Sequence, residues 1–192
     1  ERRETPHLFR EMKEGAAALL KNRKLAIVLL AAALCMVFVL PLATMYPLMT
    51  SVHFSGTAWQ ASAVEFLYAG GMMLGGAIVG ARGGIRRKFL VVHAALIGYG
   101  AFSLLSGILP RTGWAFWAFA ALCALMGASA TLYNVPLMAY LQQTMPPESQ
   151  GRVFSLIGSV MCLAMPVGLL FAGPIAEVYG IAALFIVSGA AQ

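Results

Sequence analysis

The most constraining feature of this chain is the placement of its lysines and arginines. Seven of the thirteen lie within residues 1–24, four lie within residues 82–88, and one is Arg152. The breaks at residues 53–59 and 173–180, which alternate with these basic segments, carry no Lys or Arg; Arg111 is the exception. Lys and Arg near the ends of membrane helices are retained on the cytoplasmic side. The alternation therefore predicts a polytopic membrane protein with a cytoplasmic N-terminus.

Composition supports a membrane protein and argues against soluble classes. Hydrophobic residues make up 60% of the chain, charged residues make up 10%, and the mean hydropathy is +0.82, whereas an ordinary soluble domain is about 25% charged. The net charge of +6 could suggest nucleic acid, but no basic stripe is interleaved with aromatic residues. We expect these charges to face anionic membrane lipids and not nucleic acid.

Motifs for enzymatic chemistry are absent from the sequence. It contains no GxSxG, HExxH, P-loop or dinucleotide glycine signature. The three cysteines lie inside apolar stretches without metal-ligand spacing, and His93 has no Asp partner because the chain contains no Asp. The sequence therefore predicts no enzyme, no catalytic residue, no metal site and no cofactor. An intramembrane hydrolase stays an alternative, because Ser and His can meet in space.

Five apolar stretches are long enough to span a bilayer as helices, which takes about 20 residues. A sixth covers only about 18 Å at the rise of an α-helix, and we interpret it as an incomplete last helix. Barrel strands do not fit, because the stretches are too long and lack a two-residue alternation. The predicted fold is all-α and integral to the membrane. Its helices occupy residues 25–49, 61–81, 89–109, 114–140, 153–173 and 181–192.

Residues 1–24 form a separate segment before this transmembrane unit, residues 25–192. Apolar residues recur there at helical spacing between charged ones, which predicts a cytoplasmic linker with an amphipathic helix on the inner membrane surface. A charged linker that is only partly helical is the alternative. On the other side of the membrane, Trp59 and Trp114 fall at the outer interface, where amphipathic rings prefer to lie.

Glu65 is the only acidic residue inside an apolar stretch. A charge at membrane depth costs about 2.5–3.5 kcal/mol even on insertion scales, which makes such a residue a functional candidate. A desolvated carboxyl can take up and release a proton as its surroundings change. We therefore regard Glu65 as a proton-coupling candidate. The alternative is a hydrated residue near the outer interface, little more than one helical turn beyond Trp59.

Glycine is concentrated in the second predicted helix. Small-xxx-small patterns run from Gly71 to Gly75 and from Gly76 to Gly80, and such patterns let two helix backbones approach closely. We expect Gly71, Gly75 and Gly76 to lie at a helix-packing surface.

Prolines interrupt the first and fifth predicted helices, at Pro41, Pro47 and Pro166. Interrupted membrane helices can line a substrate path, because freed backbone carbonyls need a cavity; ordinary tolerance of Pro is the alternative. Polar and aromatic residues near these bends are the candidate cavity lining. They are Thr44, Tyr46, Tyr133, Asn134 and Gln142.

Two local motifs and the six-helix plan resemble the C-terminal half of a major facilitator superfamily transporter. Residues 76–88 are similar to the family's glycine-and-arginine loop between the second and third helices of a half. Residues 145–155 resemble the loop between the tenth and eleventh helices in the drug-efflux branch that contains macrolide exporters. Residues 54–80 and 173–180 also fit that branch. The loop motifs are carried by Gly80, Arg82, Gly84, Arg86, Arg87, Gly151 and Arg152.

The resemblance implies two inverted three-helix repeats that form half of a secondary transporter in the bacterial cytoplasmic membrane. It implies proton-coupled efflux of drugs or amphipathic metabolites by alternating access. The implied partners are the N-terminal transmembrane half, membrane lipids and a small-molecule substrate. The first loop lacks the family's acidic residue, so a latch between that acid and Arg is weaker here or is supplied by Glu148 or the other half. Alternatively, the arginines serve only as topology signals.

Other functions stay open beside drug efflux. Siderophore or lysophospholipid export fits the same scaffold. A non-transporting membrane subunit that assembles through its glycine faces fits the helices equally well.

Overall fold

A computed structural model describes residues 23–81, 88–145 and 147–192, which fold into helices joined by short loops. The predicted surface helix within residues 1–24 lies outside the described residues except for the last two, and Arg82, Gly84, Arg86 and Arg87 also lie outside them. Within those three ranges no strand occurs. In chain order the helices are α1 (Arg23–Thr44), α2 (Ala58–Ala81), α3 (Lys88–Ile108), α4 (Gly113–Thr144), α5 (Pro147–Tyr179) and α6 (Ile181–Ala190).

Four helices of the described chain are long and apolar enough to cross a membrane: α2, α3, α4 and α5. A fifth span results if the second half of α1 is counted together with the bent segment that follows it. Such helices satisfy their own backbone hydrogen bonds, which is what a segment in lipid must do. The predicted all-α integral membrane fold is thereby confirmed. The sixth helix, α6, has ten residues.

Two helices extend beyond the apolar stretches that predicted them. α4 continues past residue 140 to Thr144, and α5 runs from Pro147 to Tyr179, whereas the apolar stretch covers residues 153–173. Pro147 suits the first position of a helix, because its missing N–H would have no partner there in any case. Hydrophobicity thus marks the part of a helix inside the bilayer, while the polar end turns continue beyond it.

α1 ends at a bend of 45° and continues as two short turns, which we call the outer segment. The first turn is α-helical, Tyr46–Leu48, and the second is π-helical, Met49–His53. Pro47 explains the break, because it has no N–H to donate to the preceding turn. π-helical turns are rare, and they occur mostly as single turns within helices, frequently at functional sites.

The hydrogen bonds at the bend are rearranged rather than lost. Met45 N–H donates to Leu42 O at 3.0 Å instead of to Pro41 O. The Pro41 carbonyl then accepts the hydroxyl of Thr44 at 2.8 Å. Thr44 therefore satisfies a backbone group that would otherwise lack a partner at membrane depth.

Glycines lie at three close helix crossings. An ideal Cβ on Gly75 would lie 2.7 Å from Ala128 O, and one on Gly100 would lie 2.8 Å from Gly189 O. Any larger residue would separate the helices, because small residues are what allow backbones to touch in a membrane. The glycines are Gly71, Gly75 and Gly127 between α2 and α4, Gly100, Gly107 and Gly189 between α3 and α6, and Gly168 between α1 and α5.

If α1, α2 and α3 are exchanged with α4, α5 and α6, the α1–α5 pair becomes the α4–α2 pair and the α3–α6 pair stays the same. α1 packs on α5, and α2 packs in the same way on α4, while α3 pairs with α6. A twofold axis between two three-helix repeats produces these three pairs. α3 also packs closely on α4, whereas the corresponding contact between α6 and α1 is small.

We name the two ends of the bundle after residues that form hydrogen bonds there, His53 at one end and Gln150 at the other. At the His53 end, His53 Nε2 lies 3.0 Å from Leu109 O and must donate, since a carbonyl only accepts. Trp59 and Trp114, each the second residue of its helix, lie at this end and are 70% and 65% exposed. The opposite end carries the α4–α5 connection, and we call it the Gln150 end.

Aromatic rings fill the core between α4, α6 and the outer segment. Tyr46, Phe119 and Phe185 are each at most 1% exposed, and their ring centroids lie 5.9 to 6.5 Å apart. Tyr46 Oη and Tyr99 Oη form a buried hydrogen bond at 3.0 Å. Offset and edge-on ring pairs of this kind add about 0.5–1.5 kcal/mol each beyond burial. The outer segment is therefore held firmly against α3, α4 and α6.

Candidate functional site

A cavity of about 330 Å³ lies among the first five helices. Two of its lining residues, Met72 and Val135, are 43% and 41% exposed, so the cavity is open to the surface of the chain. Its size is in the range of small-molecule sites, about 300–1,000 Å³. Its wall comprises Met36, Val39, Leu40 and Ala43 of α1, Tyr68 and Met72 of α2, Leu96 and Tyr99 of α3, residues 129–131 and 133–135 of α4, and Met161 of α5.

The position of the cavity follows from the way the helices pair. α1 packs mainly on α5, whereas α2 and α3 pack mainly on α4. The cavity is the space where the α1–α5 pair faces the α2–α3–α4 group, since both sides contribute to its wall. It is therefore a consequence of helix pairing and does not depend on a single displaced side chain.

The wall is mostly apolar and contains flexible side chains from three helices. Met36, Met72 and Met161 line it, and methionine adapts its shape to irregular ligands because it is unbranched and polarisable. No charged residue is among the described lining residues. Such a wall favours an apolar ligand body and discriminates weakly by shape.

A few polar groups interrupt this wall. The Tyr133 side chain is 7% exposed, and its hydroxyl has no hydrogen-bond partner among the described residues. The amide of the adjacent Asn134 also lines the cavity and bonds to none of them. Thr131, by contrast, donates its hydroxyl to Gly127 O at 3.4 Å. The Ser129 side chain also lines the cavity and bonds to none of the described residues. Ser129 and Asn134 are thus the wall residues with hydrogen-bonding capacity to offer a ligand, whereas the Tyr133 hydroxyl is enclosed.

The structure brings two of the five predicted lining residues together and separates the other three. Tyr133 and Asn134 line the cavity. Thr44 is exposed just beyond Ala43 and bonds its own helix, and Tyr46 is enclosed by the aromatic core. Gln142 is exposed in the last turns of α4, eight residues or about 12 Å beyond Asn134.

Glu65 is exposed on α2 and forms no hydrogen bond or ion pair with the part of the chain that the structure describes. Residues seven apart lie on nearly the same face of a helix, so Glu65 shares a face with the cavity residue Met72, about 10 Å closer to the His53 end. Glu177 is likewise exposed, near the end of α5.

The described residues of the loop motifs lie at the Gln150 end. Gly80 is in the last turn of α2 and Gly151 is in the second turn of α5; an ideal Cβ on either would meet no atom within 4 Å. Arg152 follows in α5. Gln150 Nε2 donates to Gln142 O at 2.8 Å and to Met145 O at 3.2 Å, which satisfies carbonyls at the end of α4.

The predicted packing glycines lie along one side of α2. Gly71 and Gly75 abut the backbone of α4 at Ala124 and Ala128. Gly76 lies at the margin of this contact, where an ideal Cβ would be 3.9 Å from Thr131 Cγ2.

Sequence reasoning missed Tyr68, Tyr99 and the three methionines of the wall. Each stands inside an apolar stretch without an adjacent proline, whereas the predicted lining residues were polar and aromatic residues near helix breaks. A tyrosine in a membrane helix is itself a signal, because its hydroxyl needs a partner or a cavity. That signal would have found Tyr68 and Tyr99.

Two further observations concern metal binding and His93. Over the described ranges, no group of three or more His, Cys, Asp or Glu could hold a metal ion. His93 Nδ1 donates to Phe89 O of its own helix at 2.7 Å. The bundle and its cavity together define an integral membrane protein whose internal site suits a largely apolar small molecule.

The chain belongs to the major facilitator superfamily, whose family model matches residues 1–169. It is 38% identical to macrolide efflux protein A of Streptococcus pyogenes over 184 residues, which is 96% of this chain and 45% of that protein. Macrolide efflux protein A of Enterococcus faecalis is 38% identical over 164 residues, 85% of this chain and 50% of that protein. The uncharacterized MFS-type transporter YfiS of Bacillus subtilis is 32% identical over 183 residues, 93% and 43% of the two chains.

The chain therefore spans about half the length of the curated relatives it matches. No solved structure is a significant match.

Proposed function

We propose that this chain is one half of a secondary active exporter of drugs or amphipathic metabolites that works by alternating access. The observation that carries the proposal is the open cavity between the α1–α5 pair and the α2–α3–α4 group. Similarity to macrolide efflux proteins along most of the chain supports export as the direction of transport and drugs as the class of substrate.

The cavity wall supports a substrate that is mainly apolar and carries a few polar atoms. Methionine and tyrosine side chains supply apolar surface, and Ser129 and Asn134 supply hydrogen bonds. A site of this composition accepts several related compounds, because few of its contacts depend on exact shape. This matches the broad substrate range expected of a multidrug exporter.

The partner that completes the site is the N-terminal transmembrane half of the same protein. Exposed residues beside the cavity, including Met72, Val135 and Glu65, are then covered by that half. Glu65 is the candidate for proton coupling, because an acid on the cavity-facing side of α2 would lose its hydration when the two halves close on it. The Gln150 end faces the cytoplasm in this arrangement, with Trp59 and Trp114 at the outer interface.

The glycines of α2 weigh against a non-transporting assembly subunit. That alternative needs a glycine surface free for another protein. Gly71 and Gly75 already abut α4 within this chain, which leaves Gly70 and Gly80 as the open glycines of α2. Siderophores and lysophospholipids are amphipathic too, so export of either remains within the substrate class that we propose.

The test uses the full-length protein in a drug-hypersusceptible bacterial host. We expect increased resistance to erythromycin, a macrolide, and gradient-dependent erythromycin uptake into everted membrane vesicles. A protonophore should abolish this uptake, and vesicles from the host with empty vector provide the control. A full-length protein that inserts into the membrane but moves neither erythromycin nor a siderophore nor a lysophospholipid would contradict the proposal. Co-purification of such an inactive protein with a membrane partner would favour the assembly subunit.

A further inference from the structure

Two polar side chains of α4, those of Ser129 and Asn134, line the cavity and bond none of the described residues. Neither is enclosed, whereas the hydroxyl of Tyr133, which lies between them in α4, is enclosed. Ser129 is 7% exposed, and Asn134 is half-buried beside the exposed Val135. A polar group without a partner at membrane depth costs free energy. Each of the two side chains therefore needs a partner that the cavity can admit.

The Ser129 hydroxyl does not behave as hydroxyls inside helices usually do. Such hydroxyls commonly bond the carbonyl one turn back on their own helix. In this chain the hydroxyls of Ser62, Ser106, Thr131, Thr144 and Ser159 do so, at 2.8 to 3.4 Å. Ser188 of α6 shares the lack of a bond with Ser129, but no described residue of α6 lines the cavity. An unused hydroxyl alone therefore marks no site; at Ser129 it coincides with a cavity.

Ser129 and Asn134 are separated both along and around α4. Five residues correspond to about 8 Å along a helix axis and about 140° around it. The cavity reaches both residues, because 129–131 and 133–135 all belong to its wall. A single ligand can therefore bond the deeply buried Ser129 with one group and the half-buried Asn134 with a second group at least about 8 Å away.

We propose that Ser129 and Asn134 hold the substrate at two points and thereby fix its orientation in the cavity. The inference rests on the proposed function and adds to it the chemistry and spacing of the ligand groups. A serine hydroxyl and an asparagine amide each donate and accept, and no charged residue is among the described lining residues. The matching ligand carries two uncharged oxygen-bearing groups, hydroxyl, carbonyl or ether, on an apolar body that contacts Met36, Met72 and Met161.

The test pairs each residue with a control substitution in the full-length protein. Ser129→Ala is compared with Ser188→Ala, since Ser188 is also a buried serine but lies outside the cavity wall. Asn134→Leu is compared with Gln142→Leu, which also removes an amide from α4 outside that wall. Erythromycin, whose hydroxyl, carbonyl and ether oxygens are spread around an apolar ring, is the probe. We measure its KM in everted vesicles and the unfolding temperature of each purified protein with and without erythromycin.

We expect Ser129→Ala and Asn134→Leu each to raise the KM for erythromycin about two- to tenfold, as loss of one neutral hydrogen bond does. The double variant should raise the KM by the product of the two factors, because contacts about 8 Å apart act independently. Without erythromycin, the unfolding temperatures should equal or exceed those of the controls, and the stabilisation by erythromycin should shrink. Both control variants should match the wild-type protein.

The other outcomes overturn the inference in different ways. If Ser129→Ala or Asn134→Leu keeps the wild-type KM, the substrate is not held at two points, while the exporter itself stands. A double variant with no higher KM than a single one would mean that both side chains serve one ligand group. If either variant unfolds at a clearly lower temperature than its control, that side chain is satisfied within the fold and its role is structural. If the wild-type protein moves neither erythromycin nor a siderophore nor a lysophospholipid, the proposed function fails and this inference fails with it.

Discussion

Adding one methyl group at successive glycines of α2 should change stability in an order set by the distance to α4. An ideal Cβ on Gly70 would meet nothing within 4 Å, and one on Gly76 would be in ordinary contact with Thr131 Cγ2 at 3.9 Å. On Gly75 it would lie 2.7 Å from Ala128 O, and on Gly71 it would overlap the carbonyl of Ala124. We therefore expect Gly70→Ala and Gly76→Ala to be tolerated, Gly75→Ala to destabilise, and Gly71→Ala to destabilise most.

The magnitude follows from how far the helices must separate. Ordinary contact begins near 3.4 Å, so the 2.7 Å distance at Gly75 requires a separation of about 0.7 Å. A gap of that size loses about a third of the dispersion energy across the crossing, which amounts to about 2 kcal/mol for about 40 atom contacts. Ala gains at most about 1 kcal/mol over Gly in helix propensity. Gly75→Ala should thus cost about 1 kcal/mol net, and Gly71→Ala should cost about 2–3 kcal/mol.

The assay is thermal unfolding of the four purified full-length variants, followed by the loss of monodisperse protein. A unit of this size shifts by about 2–4 °C per kcal/mol, so Gly71→Ala should unfold roughly 4–12 °C below Gly70→Ala. Gly70 is the matched control, since it is the adjacent residue in the same helix and the same substitution is made. If Gly71→Ala unfolds at the same temperature as Gly70→Ala, the α2 and α4 backbones are not in contact, and the reasoning fails.

Two further substitutions test the coupling candidate and the aromatic core. Glu65→Gln should abolish gradient-driven erythromycin efflux and leave membrane insertion and energy-independent exchange intact, whereas Glu177→Gln, at an exposed helix end, should not; equal efflux by both variants would leave Glu65 as a hydrated surface residue. Tyr46→Phe keeps the ring but removes a buried hydroxyl-to-hydroxyl bond to α3, so it should lower the free energy of unfolding by about 1–3 kcal/mol. An unchanged unfolding temperature would show that the hydroxyl left behind finds another partner.

The fold was predictable because lipid leaves few choices. A segment inside the bilayer must satisfy every backbone group internally, so long apolar stretches without alternation can only be helices, and their number could be counted. The ends of α4 and α5 were less predictable. Polar residues such as those of the turn that begins at Pro147 continue a helix outside the bilayer, where hydrophobicity no longer marks it.

The site was predictable only in part, because a cavity depends on which helices pair. Proline bends directed attention to Thr44 and Tyr46, yet the hydroxyls of both are used inside the fold, one to satisfy a freed carbonyl and the other to bond Tyr99. Gln142 was expected in the lining, but α4 carries it beyond the cavity toward the Gln150 end. Sequence spacing along one helix says which residues share a face; it does not say whether that face meets a neighbour or an opening.

The break in α1 connects the bend, the pairing and the cavity. Beyond the bend, the outer segment bonds α3 through Tyr46 and the residue that follows α3, Leu109, through His53, and it packs on α6 at Phe185. Before the bend, α1 lies on α5, where Gly168 abuts the helix at Val37 and Pro41. An unbroken helix has one direction, whereas a 45° bend lets the parts before and after it pack on different helices. The cavity lies on the α1 face just before the bend, from Met36 to Ala43, where the helix has left the α2–α3–α4 group to pack on α5.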